Sequence, residues 1–201
     1  MFDVAQITTL QRTMVELWHS QEVFNPHRDF LYLVCEQHKF NFLLWHEEDI
    51  ARSPDVGDAG IAAVKRAIDG YNQKRNDAIE RIDDFLVRTL ADRGIAPPPT
   101  ARHNTETPGS AIDRLSILAL RIYHMREQAD RTDATPEHVA RVLDKLAILS
   151  VQHEDLSAAL GELLSDLAAG RKRLKIYRQF KMYNDPALNP YLYAAKPRLA
   201  G

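Results

Sequence analysis

Three dipeptides, Asn25-Pro26, Thr107-Pro108 and Thr135-Pro136, each stand at the head of a long run of apolar residues at helical spacing. An Asn or Thr before Pro marks a helix start for a physical reason. The cap oxygen accepts a first-turn N–H, and proline's missing N–H falls where no intrahelical partner exists. With no convincing period-two alternation anywhere, these starts predict an all-α chain. Ahead of them, Val4, Ile7, Leu10, Met14, Leu17 and Trp18 define a one-faced helix over 4–20. The second helix is predicted from Asn25 to about Arg52. It is apolar round most of its circumference (Phe30, Leu31, Leu33, Val34, Phe40, Phe42, Leu43, Leu44, Trp45) and so should be central. A loop over 53–60 leads to a third helix over about 61–93, with a core stripe of Ile61, Val64, Ile68, Tyr71, Ile79, Ile82, Leu86 and Leu90. Gly94 and Pro97-Pro98-Pro99 end it in a stiff linker. The fourth helix should run from Pro108 to about Arg131. The fifth, with Leu143, Leu146, Leu149, Leu156, Leu160, Leu163 and Leu167, should run from Pro136 to near Gly170.

The expected architecture is about five long helices in an antiparallel bundle over 1–170, with a basic, turn-rich arm over 171–201 packed on it. The arm places Arg171, Lys172, Arg173, Lys175, Arg178 and Lys181 among Leu174, Ile176, Tyr177 and Phe180. A net charge of −2 argues against nucleic acid as a general partner. The single cysteine, Cys35, excludes an internal disulfide and fits a reducing compartment. There is no secretory h-region after Met1 and no run long enough to span a membrane, so a cytoplasmic protein, not integral to the membrane, is expected.

Several polar residues fall where folding alone does not ask for them. In the second helix, Asn41 interrupts an apolar segment, and Trp45 and Glu48 follow it at helical spacing, which suggests a pocket wall. In the third, Arg75 lies on the apolar side between Tyr71 and Ile79. A buried guanidinium cannot shed its proton, so it needs a carboxylate or a bound anion, with Asp113, Glu106 and Glu48 as the candidates. Asn76 belongs to a polar stripe that includes Lys65, Asp69, Asn72, Glu80 and Asp83. The junction around the fourth helix start carries Asn104, Glu106, Ser110, Asp113 and Arg114, and its free first-turn amides would suit a phosphate or carboxylate. His124 lies further along the same line as Asp113. Arg178 and Lys181 on the arm would close over that anion.

Trp45-His46-Glu47-Glu48-Asp49, Asn104-Thr105-Glu106-Thr107-Pro108-Gly109-Ser110, Ile112-Asp113-Arg114-Leu115-Ser116-Ile117-Leu118, Tyr123-His124-Met125 and 177–186 resemble the blocks of a bacterial family, domain of unknown function 4254. The resemblance covers nearly the whole chain. It implies a small helical cytosolic protein, associated with gene neighbourhoods rich in glycosyltransferases for surface polysaccharide, and it supplies no catalytic residue. A shorter resemblance is to helical pyrophosphohydrolases of the MazG type, which hold magnesium on Glu-Glu-x-x-Glu and Glu-x-x-Asp. Glu47-Glu48 and Glu80-Arg81-Ile82-Asp83 match parts of these, but Ala51 stands where a third glutamate belongs.

Three expectations follow. The first is a binding or accessory protein of cell-envelope glycan synthesis that holds a sugar phosphate or nucleotide sugar in a polar pocket between helices. The second, from the MazG resemblance, is a magnesium-dependent phosphoanhydride hydrolase using Glu47, Glu48, Glu80 and Asp83. The third is a helical homodimer, permitted by the apolar second helix, acting as an adaptor for a glycosyltransferase.

Overall fold

A computed structural model describes residues 2–176, 178 and 185–193. In chain order the elements are α1 (Val4–Trp18), α2 (Asp29–Ala51), α3 (Gly57–Asp92), β1 (Arg102–His103), α4 (Pro108–Ala129), α5 (Pro136–Ala168), β2 (Lys172–Arg173) and the single turn α6 (Pro190–Tyr193). The fold is all-α. Its only strands among the described residues are the two-residue β1 and β2, which pair in parallel with Arg102 opposite Lys172 and His103 opposite Arg173. No helix among the described residues is long and apolar enough to cross a membrane.

Two of the three Pro starts behave as caps. Thr107 Oγ1 accepts the Ser110 N–H at 3.2 Å, and Thr135 Oγ1 accepts the His138 N–H at 3.2 Å. Asn25-Pro26 does not start α2. Asn25 Oδ1 accepts the His27 N–H at 3.1 Å, the local Asx turn that competes with capping in any Asn-led sequence. Its Nδ2 donates to the Tyr32 carbonyl and to Glu36. The chain then stays extended to Arg28, and the helix opens at Asp29 with φ of +52°.

α4 is the hub, packing on α1, α2, α3 and α5, while α2 packs on α1, α3 and α4. Ile7, Leu10, Met14, Val34, Ile82, Leu86, Ile112, Leu115, Leu120 and Leu160 are all but sealed from solvent. Each such side chain contributes roughly 1.5–3 kcal/mol of burial. The apolar perimeter of α2 is thus used mainly inside the bundle, where Phe30, Val34, Phe40, Phe42 and Leu44 are buried. Two expected core positions lie outside the core: Ile61 is exposed on the first turns of α3, and Leu143 is exposed on α5. Val142, next to Leu143, and Val64, one turn after Ile61, are buried, so each helix turns a slightly different face inward than the spacing predicts.

Candidate functional site

The polar residues singled out on α2, α3 and α4 meet in one place. Gln37 and Asn41, one turn apart on α2, both donate to Asp113 Oδ1 on α4, at 2.6 and 2.9 Å. Asn41 also donates to Ser116 Oγ at 2.9 Å, and Ser116 Oγ hydrogen-bonds His38 Nδ1 at 2.7 Å. Gln37, His38, Asn41, Asp113 and Ser116 are all buried. Burial pushes the His38 imidazole down to about 3, so the ring is neutral. Burial raises the Asp113 carboxyl, against the downward pull of the Arg75 charge and the Asn41 hydrogen bond. Arg75 Nε stands 3.5 Å from Asp113 Oδ1, within ion-pair reach but without a hydrogen bond of its own.

Beyond Arg75 the helices part into a groove. A cavity of about 490 Å³ is lined by Asn41, Trp45, Glu48, Arg52, Asn72, Arg75 and Arg121, with Ile117 and Leu120 as its floor. Two adjoining cavities, of about 620 and 670 Å³, continue along α4 towards α5, and Arg121 lines all three. Arg52 is turned onto Glu48, 3.0 Å away. Arg121 makes no hydrogen bond or ion pair with any described residue, and it shares the lining of these cavities with the carboxylates of Glu48, Asp49 and Asp155. Trp45 stacks on His124 with ring centroids 4.7 Å apart and planes 8° apart, forming the wall between the first two cavities.

Asn41, Trp45, Glu48 and Arg75 therefore share one groove, with Asp113 directly behind Arg75. His124 and Arg114 each line one of the adjoining cavities. Asn76 is half-buried on α3 and does not line the groove. The junction before α4 is a separate region. Arg114 pairs with Glu106 at 2.7 Å on the surface, and Asn104 bridges the Glu106 carbonyl and the Lys172 ammonium.

The expectation of an anion at the first turn of α4 is corrected by the structure. The Gly109 N–H donates to Asp83 Oδ1 at 2.7 Å, the Ser110 N–H to Thr107, and the Ala111 N–H to the Thr107 carbonyl. Proline has no N–H to offer, so the turn has no amide left for a phosphate. Asp83, placed by spacing on the wet face of α3, is 2% exposed and acts as a cap for α4. Burial pushes its carboxyl up to about 6, although hydrogen bonds from Thr107 and Gly109 pull the other way. Arg178 does not reach this turn either. It pairs with Glu80 at 2.9 Å and Asp84 at 2.7 Å on α3. Lys181 lies outside the described residues.

Those commitments also undo the proposed magnesium set. Asp83 is held by α4, Glu80 by Arg178, and Glu48 by Arg52, so Glu47, Glu48, Glu80 and Asp83 do not gather round one point. The group of three potential metal ligands that does converge among the described residues is His19, His46 and His124.

The sequence pattern assigns no binding role to Gln37, Asn72, Ser116, Arg121 or His19, and it sets His46 only beside the carboxylates of Glu47, Glu48 and Asp49. Some signal existed for two of them. Arg114 and Arg121 are seven apart and so share a face, and Ser116 is one turn from Asp113. Nothing in the spacing relates His19, on one helix end, to His46 and His124 on two others.

Among known proteins, the family described as "Protein of unknown function (DUF4254)" matches residues 31–176. No curated protein and no solved structure matches the chain.

Proposed function

The chain belongs to the DUF4254 family, whose description names no activity, and we propose from the groove itself that the protein binds a small phosphorylated or nucleotide-linked sugar. Arg75 is the observation that supports this most. Its guanidinium is backed by a buried carboxylate, is 27% exposed, and lines a cavity of ligand size. A guanidinium with a carboxylate behind it keeps its remaining donors for the groove, the arrangement that suits phosphate oxygens. Arg121 supplies a second cation without a partner of its own. Asn72 adds an amide group for hydroxyls, Asn41, with both N–H groups committed, can offer only its carbonyl, and Trp45 adds an apolar wall. A place beside glycosyltransferases in envelope glycan synthesis, which the family resemblance implies, favours a sugar over other phosphate esters.

The test is a melting-temperature and calorimetric screen of nucleotide sugars, sugar phosphates and the matching nucleotides. At least one class should stabilise the protein, with affinity falling as salt rises. Arg121→Ala, an exposed change that leaves the core intact, should weaken that ligand at least about tenfold, the loss of one charge-assisted contact. A panel that leaves the melting temperature unmoved, or a ligand whose affinity ignores Arg121→Ala, sinks the proposal.

A further inference from the structure

At the end of α1, on the last turns of α2 and in the second half of α4, three histidines face one another. His19 and His46 have ring centroids 5.1 Å apart at 68°, His19 and His124 5.0 Å apart at 73°, and His46 and His124 5.8 Å apart at 76°. Three rings set nearly perpendicular in pairs are not a stack. One ring nitrogen from each lies within 4.8 Å of the other two. The Nε2 of all three is buried and has no hydrogen-bond partner. His27, His38 and His138 share this feature, so what sets His19, His46 and His124 apart is that the three rings gather at one place.

In two of the rings the other nitrogen fixes the tautomer. His19 Nδ1 lies 2.7 Å from the Val15 carbonyl, which can only accept, so Nδ1 carries the proton and Nε2 the lone pair. His124 Nδ1 lies 2.7 Å from Glu127 Oε2, with the same consequence. A carbonyl or carboxylate behind the ring is the support that metal-binding histidines use to set tautomer and orientation. Aromatic packing holds the rings further. Tyr123 stacks on His19 at 4.1 Å, Trp45 on His124 at 4.7 Å, and Phe42 meets His46 edge-on at 4.5 Å. Glu127 places a negative charge beside His124, against the charge a cation would bring.

We infer that His19, His46 and His124 bind a divalent transition-metal ion of the zinc class through their Nε2 atoms. Neutral imidazoles suit zinc, cobalt, nickel or copper and not magnesium, which wants oxygen. Zinc–nitrogen bonds of about 2.0–2.1 Å in a tetrahedron put nitrogens about 3.3 Å apart, so the three nitrogens need approach one another by at most about 1.5 Å. Three histidines leave a fourth position for water or another ligand atom. The site stands on residues other than the anion groove, and only His124 borders both.

The full chain, stripped with a chelator, is titrated with Zn(II) by calorimetry and with Co(II) by visible absorption. One equivalent of zinc should bind, and Co(II) should give the intense bands of a four-coordinate site, displaced by zinc. Magnesium should produce neither response. His46→Gln and His124→Gln should each weaken zinc at least about a hundredfold, and Glu127→Gln, an exposed change that removes the negative charge behind His124 and leaves an acceptor for its Nδ1–H, about tenfold. His103→Gln, on exposed β1, should bind as the wild type does. Should a histidine variant fail to fold, Glu127→Gln and the wild-type cobalt spectrum still decide. Absence of stoichiometric zinc binding, an octahedral cobalt spectrum, or unchanged affinity in Glu127→Gln and the folded histidine variants would overturn the site. The sugar-phosphate screen is read on Arg121, so either proposal can fail without the other.

Discussion

At residue scale, Gly109 is required by its neighbours and not by its backbone angles. A Cβ there would stand 2.7 Å from the Ile79 carbonyl oxygen and 2.9 Å from Asp83 Oδ1. The first neighbour is backbone and cannot swing aside. Gly109→Ala is therefore expected to cost about 2 kcal/mol or more, although alanine is the better helix former. A urea midpoint equal to the wild type's would show that α3 and α4 are not this close. Two buried groups set the acid side of the stability curve with opposite signs. His38 falls from 6.5 to about 3, so between those values only the unfolded chain takes the proton. Its contribution, on the order of 5 kcal/mol, is complete above about pH 6.5 and is lost as pH falls towards 3. Asp83 rises from 3.8 to about 6, so in that window only the folded protein holds the proton. Its contribution, on the order of 3 kcal/mol, is present below 3.8 and lost as pH rises through 6. The two oppose each other, and wild-type stability should climb only gently from about pH 4 to 6. Asp83→Asn keeps an acceptor for Gly109 and removes one slope, so its stability should climb more steeply over that range. Denaturation across a pH series checks this, and parallel profiles for the two proteins would refute it.

At the scale of elements, α2 and α4 are joined through Asp113 as much as through apolar packing. Removing its carboxylate leaves the Gln37 and Asn41 amides without their acceptor and Arg75 without its counter-charge. Asp113→Ala should therefore cost on the order of 3 kcal/mol, seen as a lower midpoint with little change in slope. A loss under about 1 kcal/mol would mean that water replaces the carboxylate. Polar residues inside the apolar α2 were readable in the sequence as a demand for partners, and Asp113 was among the candidates for Arg75. Which helix supplied each partner was not readable. Gln37 and Asn41 need α4 at one angle of approach, and that angle comes from how ridges of side chains fit together.

At the scale of the whole molecule, described residues after α5 return to the bundle. β2 pairs with β1, where Arg173 Nε also donates to the Ala101 carbonyl at 2.9 Å, and Arg178 reaches Glu80 and Asp84 on α3. The Arg178 pairs are exposed, so water and salt screen them. Arg178→Ala should lower the urea midpoint only slightly, a loss that fades in high salt, and should leave ligand affinity in the groove unchanged. A large drop in affinity would restore Arg178 to the binding surface that its sequence position suggested.

The sequence by itself determined what depends on neighbours along the chain. The helical class, the caps at Thr107 and Thr135, and the extent of α4 and α5 follow from 3.6-residue periodicity and from proline's missing N–H. The need to partner Arg75 follows from the guanidinium's fixed charge. Tertiary structure decided what depends on the approach of separate helices. It sealed the first turn of α4 with Asp83, dispersed the acidic set expected to hold magnesium, opened the groove around Arg75 and Arg121, and brought His19, His46 and His124 to one point. Those outcomes rest on crossing angles and on ångström-scale distances between atoms tens of residues apart, and no local pattern encodes them.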